Sequence, residues 1–207
     1  MYQKINVGII STSRAELIDI AKAWLALSLA FTFVYAGASL MRGGIGRIFT
    51  IEFPILFIIS LFTAGLGFLL HELAHKFVAQ HYGCEAEFRA FDQMLYLALG
   101  LAILIGFIFA APGAVMISGM ITRKENGLVS MAGPLTNYVL GLLFLGIGLL
   151  YPKIAFISHI GSGINFWLGL FNMIPFGNLD GLKVLNWNRY VWGGIVIIGI
   201  YLVFFLR

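Results

Sequence analysis

Two histidines four residues apart, with a glutamate directly after the first, are the residues of this chain best suited to chemistry. They are His71, Glu72 and His75, in the run H-E-L-A-H. On a helix, residues i and i+4 share a face, so both imidazoles can close on one ion. Two histidines, a carboxylate and a water form the open tetrahedral site of a catalytic zinc centre. The pattern therefore predicts one Zn²⁺ ion, with Glu72 placed to take a proton from the water.

A third protein ligand is needed, and Asp180 is the acid whose surroundings favour it. It follows the point where an apolar run ends, at Asn172–Pro175, and it lies between Gly177 and Gly181. Glycine lets the backbone turn and approach other groups closely. A carboxylate exposed by an unwound helix at membrane depth requires a cation, so we expect Asp180 to complete the metal site.

Other acids leave an alternative open. Glu85 and Glu87 follow His75 closely, and we expect them on a solvated strand. A membrane protease that cuts outside the bilayer and uses a glutamate as third ligand would need Glu85, Glu87 or Glu125 in place of Asp180.

The composition indicates a membrane protein. Hydrophobic residues make up 60% of the 207 residues and charged residues only 11%, whereas soluble domains carry about 25% charged residues. The net charge of +4 fits cations gathered at cytoplasmic helix ends better than it fits nucleic-acid binding. The single Cys84 excludes an internal disulfide. The apolar runs are Ile18–Leu40, Phe49–Leu70, Met94–Ala111, Leu135–Leu150, Ile154–Pro175 and Tyr190–Leu206.

The membrane setting strengthens the catalytic interpretation. The run that starts near Phe49 continues without a breaker into His71–Gln80. Glu72 therefore falls within a membrane helix, where an ionisable residue is costly and usually functional. A zinc transporter would need ligands along several helices, and the other runs have almost none. A scaffold without activity would lack the base, and Glu72 is present.

These segments together resemble the site-2 protease family of zinc-dependent intramembrane proteases. The paired motifs H-E-x-x-H and N-x-x-P-x-x-x-L-D-G begin here at His71 and Asn172, and Asp180 follows His71 by 109 residues. The segment Gly133–Asn137 also resembles the family's glycine-asparagine motif, and the match covers residues 50–185.

The resemblance implies a role for each matched residue. His71, His75 and Asp180 would bind the zinc ion, and Glu72 would be the general base. Two asparagines, Asn137 and Asn172, would support the site or bind substrate. The substrate would be a membrane protein with a single spanning helix; its identity and the oligomeric state of the protease are not indicated.

The zinc site constrains how the chain crosses the bilayer. The helix end that carries His75 and the run that precedes Asp180 must meet on one side, which fails if all six apolar runs span. Met94–Ala111 is the run best suited to dip in and return, because strand-like sequence flanks it. We therefore predict an all-α polytopic membrane protein with one domain, residues 1–207 (core 50–185). It has five spanning helices and one re-entrant segment, with six spanning helices as the alternative.

Positive charge predicts the orientation. With the N-terminus inside and the re-entrant arrangement, eight of twelve counted cations lie on the cytoplasmic side, against an even division for six spans. The positive-inside rule then puts the zinc toward the cytoplasmic face. The eight are Lys4, Arg14, Lys76, Arg89, Arg123, Lys124, Lys183 and Arg189, and the four outside are Arg42, Arg47, Lys153 and Arg207.

Local patterns predict further detail. Ser13–Glu16 is typical of a capping box that opens the first helix, and no signal-peptide layout precedes it, so we expect retention in the membrane. Ala86–Phe91 and Ala114–Ile121 are predicted strands that could hold an extended substrate by β-addition. A helix is predicted to begin at Met131, with Pro134 near its first turn, where a missing amide costs least.

Overall fold

Helices form most of the protein. The computed structural model describes residues 4–7, 10–108 and 112–206. Within these residues there are two antiparallel hairpins, β1–β2 and β3–β4. The strands are β1 Lys4–Val7, β2 Ile10–Ser13, β3 Glu85–Ala90 and β4 Gly113–Ser118. The helices are α1 Arg14–Ala36, α2 Glu52–Ser60, α3 Leu66–His81, α4 Asp92–Ile105, α5 Arg123–Leu150, α6 Ala155–Asn172, α7 Asp180–Trp187 and α8 Arg189–Phe204.

Four helical segments are long and apolar enough to cross a membrane, and the chain is a membrane protein. They comprise 23, 30, 28 and 21 residues, and spanning the hydrocarbon takes roughly 20. Helices α4 and α8 are apolar but shorter, so the number of spans stays a prediction. The four are Arg14–Ala36, Glu52–His81, Arg123–Leu150 and Pro152–Asn172.

The helix that carries the H-E-L-A-H motif is continuous, as predicted. Helices α2 and α3 are joined by a π-helical turn at Leu61–Gly65, without a break in the chain direction. The indole Nε1 of Trp24 on α1 donates a hydrogen bond to the Leu61 carbonyl, at 2.9 Å. A π-helical turn interrupts the regular i→i+4 backbone hydrogen bonds of the helix. Here the neighbouring helix α1 supplies a donor for one carbonyl in the turn.

Helix α5 begins eight residues earlier than predicted, so the predicted start at Met131 was wrong. Thr122 and Glu125 form a reciprocal capping box, which satisfies free amides at the helix start and contributes about 1 kcal/mol. Pro134 consequently lies inside the helix, where it offers no amide to the Ser130 carbonyl. Four glycine–aromatic contacts bring α6 and α8 close to α5; for example, a Cβ at Gly141 would lie 2.3 Å from the Phe166 ring.

Helix α4 lies beside α1, and the described residues before and after it meet at the β3–β4 sheet; this arrangement is called the α4 hairpin. At its start, Phe91 N–H donates to the Pro112 carbonyl, at 2.9 Å, so the segment leaves and re-enters the β3–β4 sheet at one point. At its far end, Leu40 N–H beyond α1 donates to the Ile103 carbonyl, at 2.8 Å. The helix has 14 residues, about 21 Å. Residues 109–111, in which the predicted apolar run ends, lie outside the described residues.

The start of α1 differs from the predicted capping box. Ser13 caps the helix, since its Oγ accepts from the Glu16 N–H at 3.2 Å. The reciprocal half is missing because the Glu16 carboxylate turns instead toward Lys76 on α3, with Oε2 2.6 Å from Nζ. The helix therefore begins where predicted, but Glu16 connects it to α3.

Candidate metal centre

Three side chains from two separate helices converge on one point. His71 and His75 lie on one face of α3, and their Nε2 atoms are 3.3 and 3.1 Å from Asp180 Oδ2. All three are buried, with possible ligand atoms within 4.8 Å of one another. Asp180 is the first residue of α7, whereas the sequence predicted that it would lie in an unwound stretch. Within the described residues, these form a group of the size and chemistry that a metal ion requires.

Hydrogen bonds fix the orientation of both rings. His75 Nδ1 lies 2.7 Å from the Val129 carbonyl, which can only accept, so the hydrogen is on Nδ1. His71 Nδ1 lies 2.6 Å from Asn137 Oδ1. The Asn137 amide nitrogen donates to the Gly67 carbonyl, at 3.1 Å, which identifies the atom facing His71 as oxygen. In the neutral form that binds a metal, each imidazole would therefore turn its Nε2 lone pair toward Asp180.

The charge balance at this point calls for a cation. Asp180 is buried, so little water is available to solvate its carboxylate charge. An ionised carboxylate oxygen and two imidazole lone pairs would repel one another unless a positive charge lies between them. Zn²⁺ suits this donor set of two nitrogens and one oxygen. The residues present therefore fit the ion.

Gly133 on α5 allows the close approach that the site needs. A Cβ at this position would lie 2.5 Å from His75 Nε2 and 2.6 Å from His71 Nε2. Any larger side chain would therefore meet the two ligand nitrogens themselves. This glycine, inside the predicted Gly133–Asn137 motif, leaves the space that a metal ion and its water require.

A second asparagine, which the sequence interpretation missed, supports the first. Asn137 Nδ2 donates to Asn165 Oδ1 on α6 at 2.9 Å, and Asn165 Nδ2 donates to the Gly161 carbonyl at 2.9 Å. Both asparagines are fully buried. The available signal was a polar amide inside an apolar helix, where such groups are costly and hydrogen-bond across helices.

The other candidate residues lie away from the centre or face elsewhere. Asn172 donates to the Leu168 carbonyl of its own helix, at 2.9 Å. Glu125 belongs to the capping box of α5, and Glu87 pairs with Arg89. Neither glutamate belongs to the buried metal group, nor does Glu85.

The loop that delivers Asp180 is held by its backbone. A Cβ at Gly181 would lie 2.1 Å from the Met173 carbonyl oxygen, so α7 packs directly against the end of α6. Trp192 Nε1 on α8 donates to the same Met173 carbonyl, at 2.9 Å. Gly177 has a φ of 60°, which favours glycine. The carboxylate of Asp180 also has Lys183 Nζ 3.7 Å from its second oxygen.

Among the residues that the structure describes, the outer edge of β4 has no strand partner, and it lies near Glu72. On the outer edge of β3, backbone groups are already hydrogen-bonded to side chains: Phe88 N–H donates to Glu16 Oε1, and Gln80 Nε2 donates to the Ala86 carbonyl. Phe88 pairs with Val115, so the Val115 amide points away from β3, and it interacts with the Glu72 carboxylate. The predicted strands are thus present, and β4 is the one whose outer edge adjoins the base.

Fold and site together define a membrane zinc metalloprotein, and comparison with known proteins gives its family. The chain is 38% identical over 199 residues to MJ0611 of Methanocaldococcus jannaschii, assigned as a zinc metalloprotease, covering 93% of this chain and 96% of that protein. The chain belongs to the site-2 protease-type zinc metalloproteases, as the motifs predicted, and zinc is its metal.

Two longer relatives match less of their own length. The zinc metalloprotease MJ0392 of the same organism is 26% identical over 165 residues, which are 76% of this chain and 39% of that protein. Rip2 of Mycolicibacterium smegmatis, assigned as a zinc metalloprotease, is 33% identical over 140 residues, 58% of this chain and 53% of that protein. No family model and no solved structure matches the chain.

Proposed function

We propose that this protein is an intramembrane endopeptidase that cuts transmembrane segments of other membrane proteins. The observation that carries the proposal is the meeting of three buried side chains, His71, His75 and Asp180, with both histidines on a helical segment long and apolar enough to cross a membrane. The metal group is buried against helices long and apolar enough to span, which favours cleavage within the bilayer over cleavage outside it.

Each residue at the centre has a role in the proposed reaction. His71, His75 and Asp180 hold the metal, and Asn137 and the Val129 carbonyl fix the two rings. Bound Zn²⁺ supplies a Lewis acid and a water acidic enough to lose its proton near neutral pH. Glu72, directly after His71, takes that proton and returns it to the departing amine. General acid–base transfer of this kind contributes typically 10²–10⁴-fold in rate.

The open edge of β4 would hold the substrate extended. Peptide bonds in a membrane helix are hidden by their own hydrogen bonds, so the substrate must unwind before cleavage. Outward amides and carbonyls of Gly113, Val115 and Ile117 lie on the side of β4 away from β3, and an unwound segment can add there as a further strand. The substrate backbone would then pass beside Glu72.

We also propose a topology with the site toward the cytoplasm. The α4 hairpin starts and ends at one point of the sheet, as a segment that dips and returns would. Lys76 was counted among the cytoplasmic cations, but its charge is neutralised by Glu16. Seven cations against four then remain, and the positive-inside preference still holds.

The test uses purified protein in detergent and a synthetic single-span peptide. The test peptide has about 25 Leu and Ala residues, interrupted at its centre by Asn-Gly so that the helix unwinds there. Wild-type protein is expected to cut the peptide near this pair. The Glu72→Gln variant should cut it at least 100-fold more slowly and should keep one zinc per chain by metal analysis.

Glu52→Gln is the matched control, since Glu52 lies at the far, exposed end of the same continuous helix. It should cut like the wild type. Equal cleavage by the wild type and Glu72→Gln would show that Glu72 is not the base. Loss of zinc from Glu72→Gln would show that this residue is a ligand instead.

A further inference from the structure

The Glu16 carboxylate is buried at the junction of three elements. It is 0% exposed, and donors from separate parts of the chain surround it. Lys76 Nζ on α3 and Thr12 Oγ1 before α1 lie 2.6 and 2.8 Å from Oε2. The Phe88 N–H of β3 lies 2.9 Å from Oε1. One side chain thus connects α1, the metal-bearing helix and the sheet.

Stability alone does not account for this arrangement. Lys76 is 2% exposed and directly follows His75. A buried ion pair repays little of its desolvation cost, and apolar residues of similar volume often serve stability as well. Buried charged groups in membrane proteins usually mark function. The Glu16–Lys76 pair is outside the metal group and the proposed reaction gives it no role.

Two hydrogen bonds, one strand pairing and one electrostatic interaction lead from Lys76 back to Glu72 on the same helix. Lys76 binds Glu16, and Glu16 accepts from Phe88 on β3. Phe88 pairs with Val115 on β4, and the Val115 amide interacts with Glu72. This series of contacts begins and ends on α3, at residues four apart and therefore on one face.

We propose that Glu16 and Lys76 are positioning residues that hold the open edge of β4 at a fixed distance from Glu72. The inference rests on the proposed function for its consequence, since the edge is where substrate would add. The pair does not hold the metal: His71 and His75 are fixed by Asn137 and Val129 of α5. Losing the pair should therefore loosen the sheet and leave zinc binding intact.

The first test does not depend on protease activity. Purified full-length Lys76→Met protein should show at least tenfold faster hydrogen exchange in the segments 85–91 and 113–118. Exchange in α6 and the zinc content should match the wild type. Lys22→Met is the control, because it removes an exposed lysine–aspartate pair between α1 and α4 and should leave the sheet's exchange unchanged.

A double variant guards against misfolding of the single one. Glu16→Met combined with Lys76→Met leaves no unpaired buried charge, but Phe88 N–H still loses its acceptor, so faster sheet exchange is expected again. Unchanged exchange in the double variant, or equal loosening of the sheet and α6, would overturn the positioning role.

The second test connects the pair to substrate. With the test peptide, the double variant should raise KM about tenfold and change kcat less than threefold. Normal KM with a loosened sheet would show that the edge does not bind substrate. If the wild type fails to cut the peptide, the proposed function is at fault, and the exchange measurement still decides the positioning role.

Discussion

At the residue scale, the space beside the two histidines depends on one missing side chain. Gly133→Ala would place a Cβ 2.5–2.6 Å from both Nε2 atoms, well inside van der Waals contact. We expect the variant to lose most of its zinc and at least 100-fold of its activity, although alanine favours helix by about 1 kcal/mol over glycine. Metal analysis of the purified protein, alongside peptide cleavage, checks this.

Gly146→Ala is the matched control for that substitution. Gly146 lies on the same helix, and a Cβ there would meet nothing within 4 Å. Its zinc content and activity should equal those of the wild type, with equal or higher thermal stability. Full zinc content in Gly133→Ala would contradict the assignment of the metal to the space between the histidines.

From the sequence, residues of the site that are close along the chain were easier to predict than partners that are far apart along it. The i, i+4 spacing places His71 and His75 together whatever the tertiary structure. The pairing with Asp180 was predictable only because both halves of a specific motif are present. Asn165 and the Val129 carbonyl have no such pattern, since they reach their partners across 28 and 54 residues through helix packing.

At the element scale, strand β4 offers a test of substrate pairing. The amide of Ile117 points away from β3, as do those of Gly113 and Val115. Ile117→Pro therefore removes an edge donor without breaking the ladder, and proline is tolerated on an edge strand. We expect KM for the test peptide to rise about fivefold, measured by initial rates, with little change in melting temperature.

The adjacent position supplies the control. The Met116 amide faces β3, so Met116→Pro breaks a ladder hydrogen bond and should lower the melting temperature as well as activity. An unchanged KM in the Ile117→Pro variant would show that the substrate does not pair along this edge.

Elements whose signals are local were predicted more accurately than those fixed by packing. The motif-bearing helix and the strands β3 and β4 follow from apolar length and alternation. The start of α5 was misplaced because Pro134 suggested a first turn, whereas Thr122 and Glu125 cap the helix earlier. Helix α7 was missed because its eight residues are too few to show a clear period.

At the scale of the whole molecule, the remaining question is which side of the bilayer each connection faces. If the α4 hairpin returns to its starting side, Met120 and Asn178 share the cytoplasmic side with the metal, and Thr50 and Lys153 lie outside. Single cysteines at these exposed positions, in a Cys84→Ser background, can be labelled on intact cells with a membrane-impermeant maleimide. We expect label at positions 50 and 153, and at 120 and 178 only after permeabilisation.

The labelling pattern separates three arrangements. If all six apolar runs crossed, position 120 would be labelled from outside and position 153 would be protected, while position 50 would be labelled in either case. Complete reversal at every position would preserve the α4 hairpin but place the metal on the outer side. If all six runs crossed, the Asp180 segment would face the opposite side from the end of the histidine helix. The Asp180 carboxylate lies about 3 Å from both histidines, so the six-span labelling pattern would require a rearranged metal centre. A rearrangement of that size could not keep the hydrogen bond between His71 and Asn137. The zinc content of the same labelled protein therefore checks the conclusion about topology against the conclusion about the metal centre.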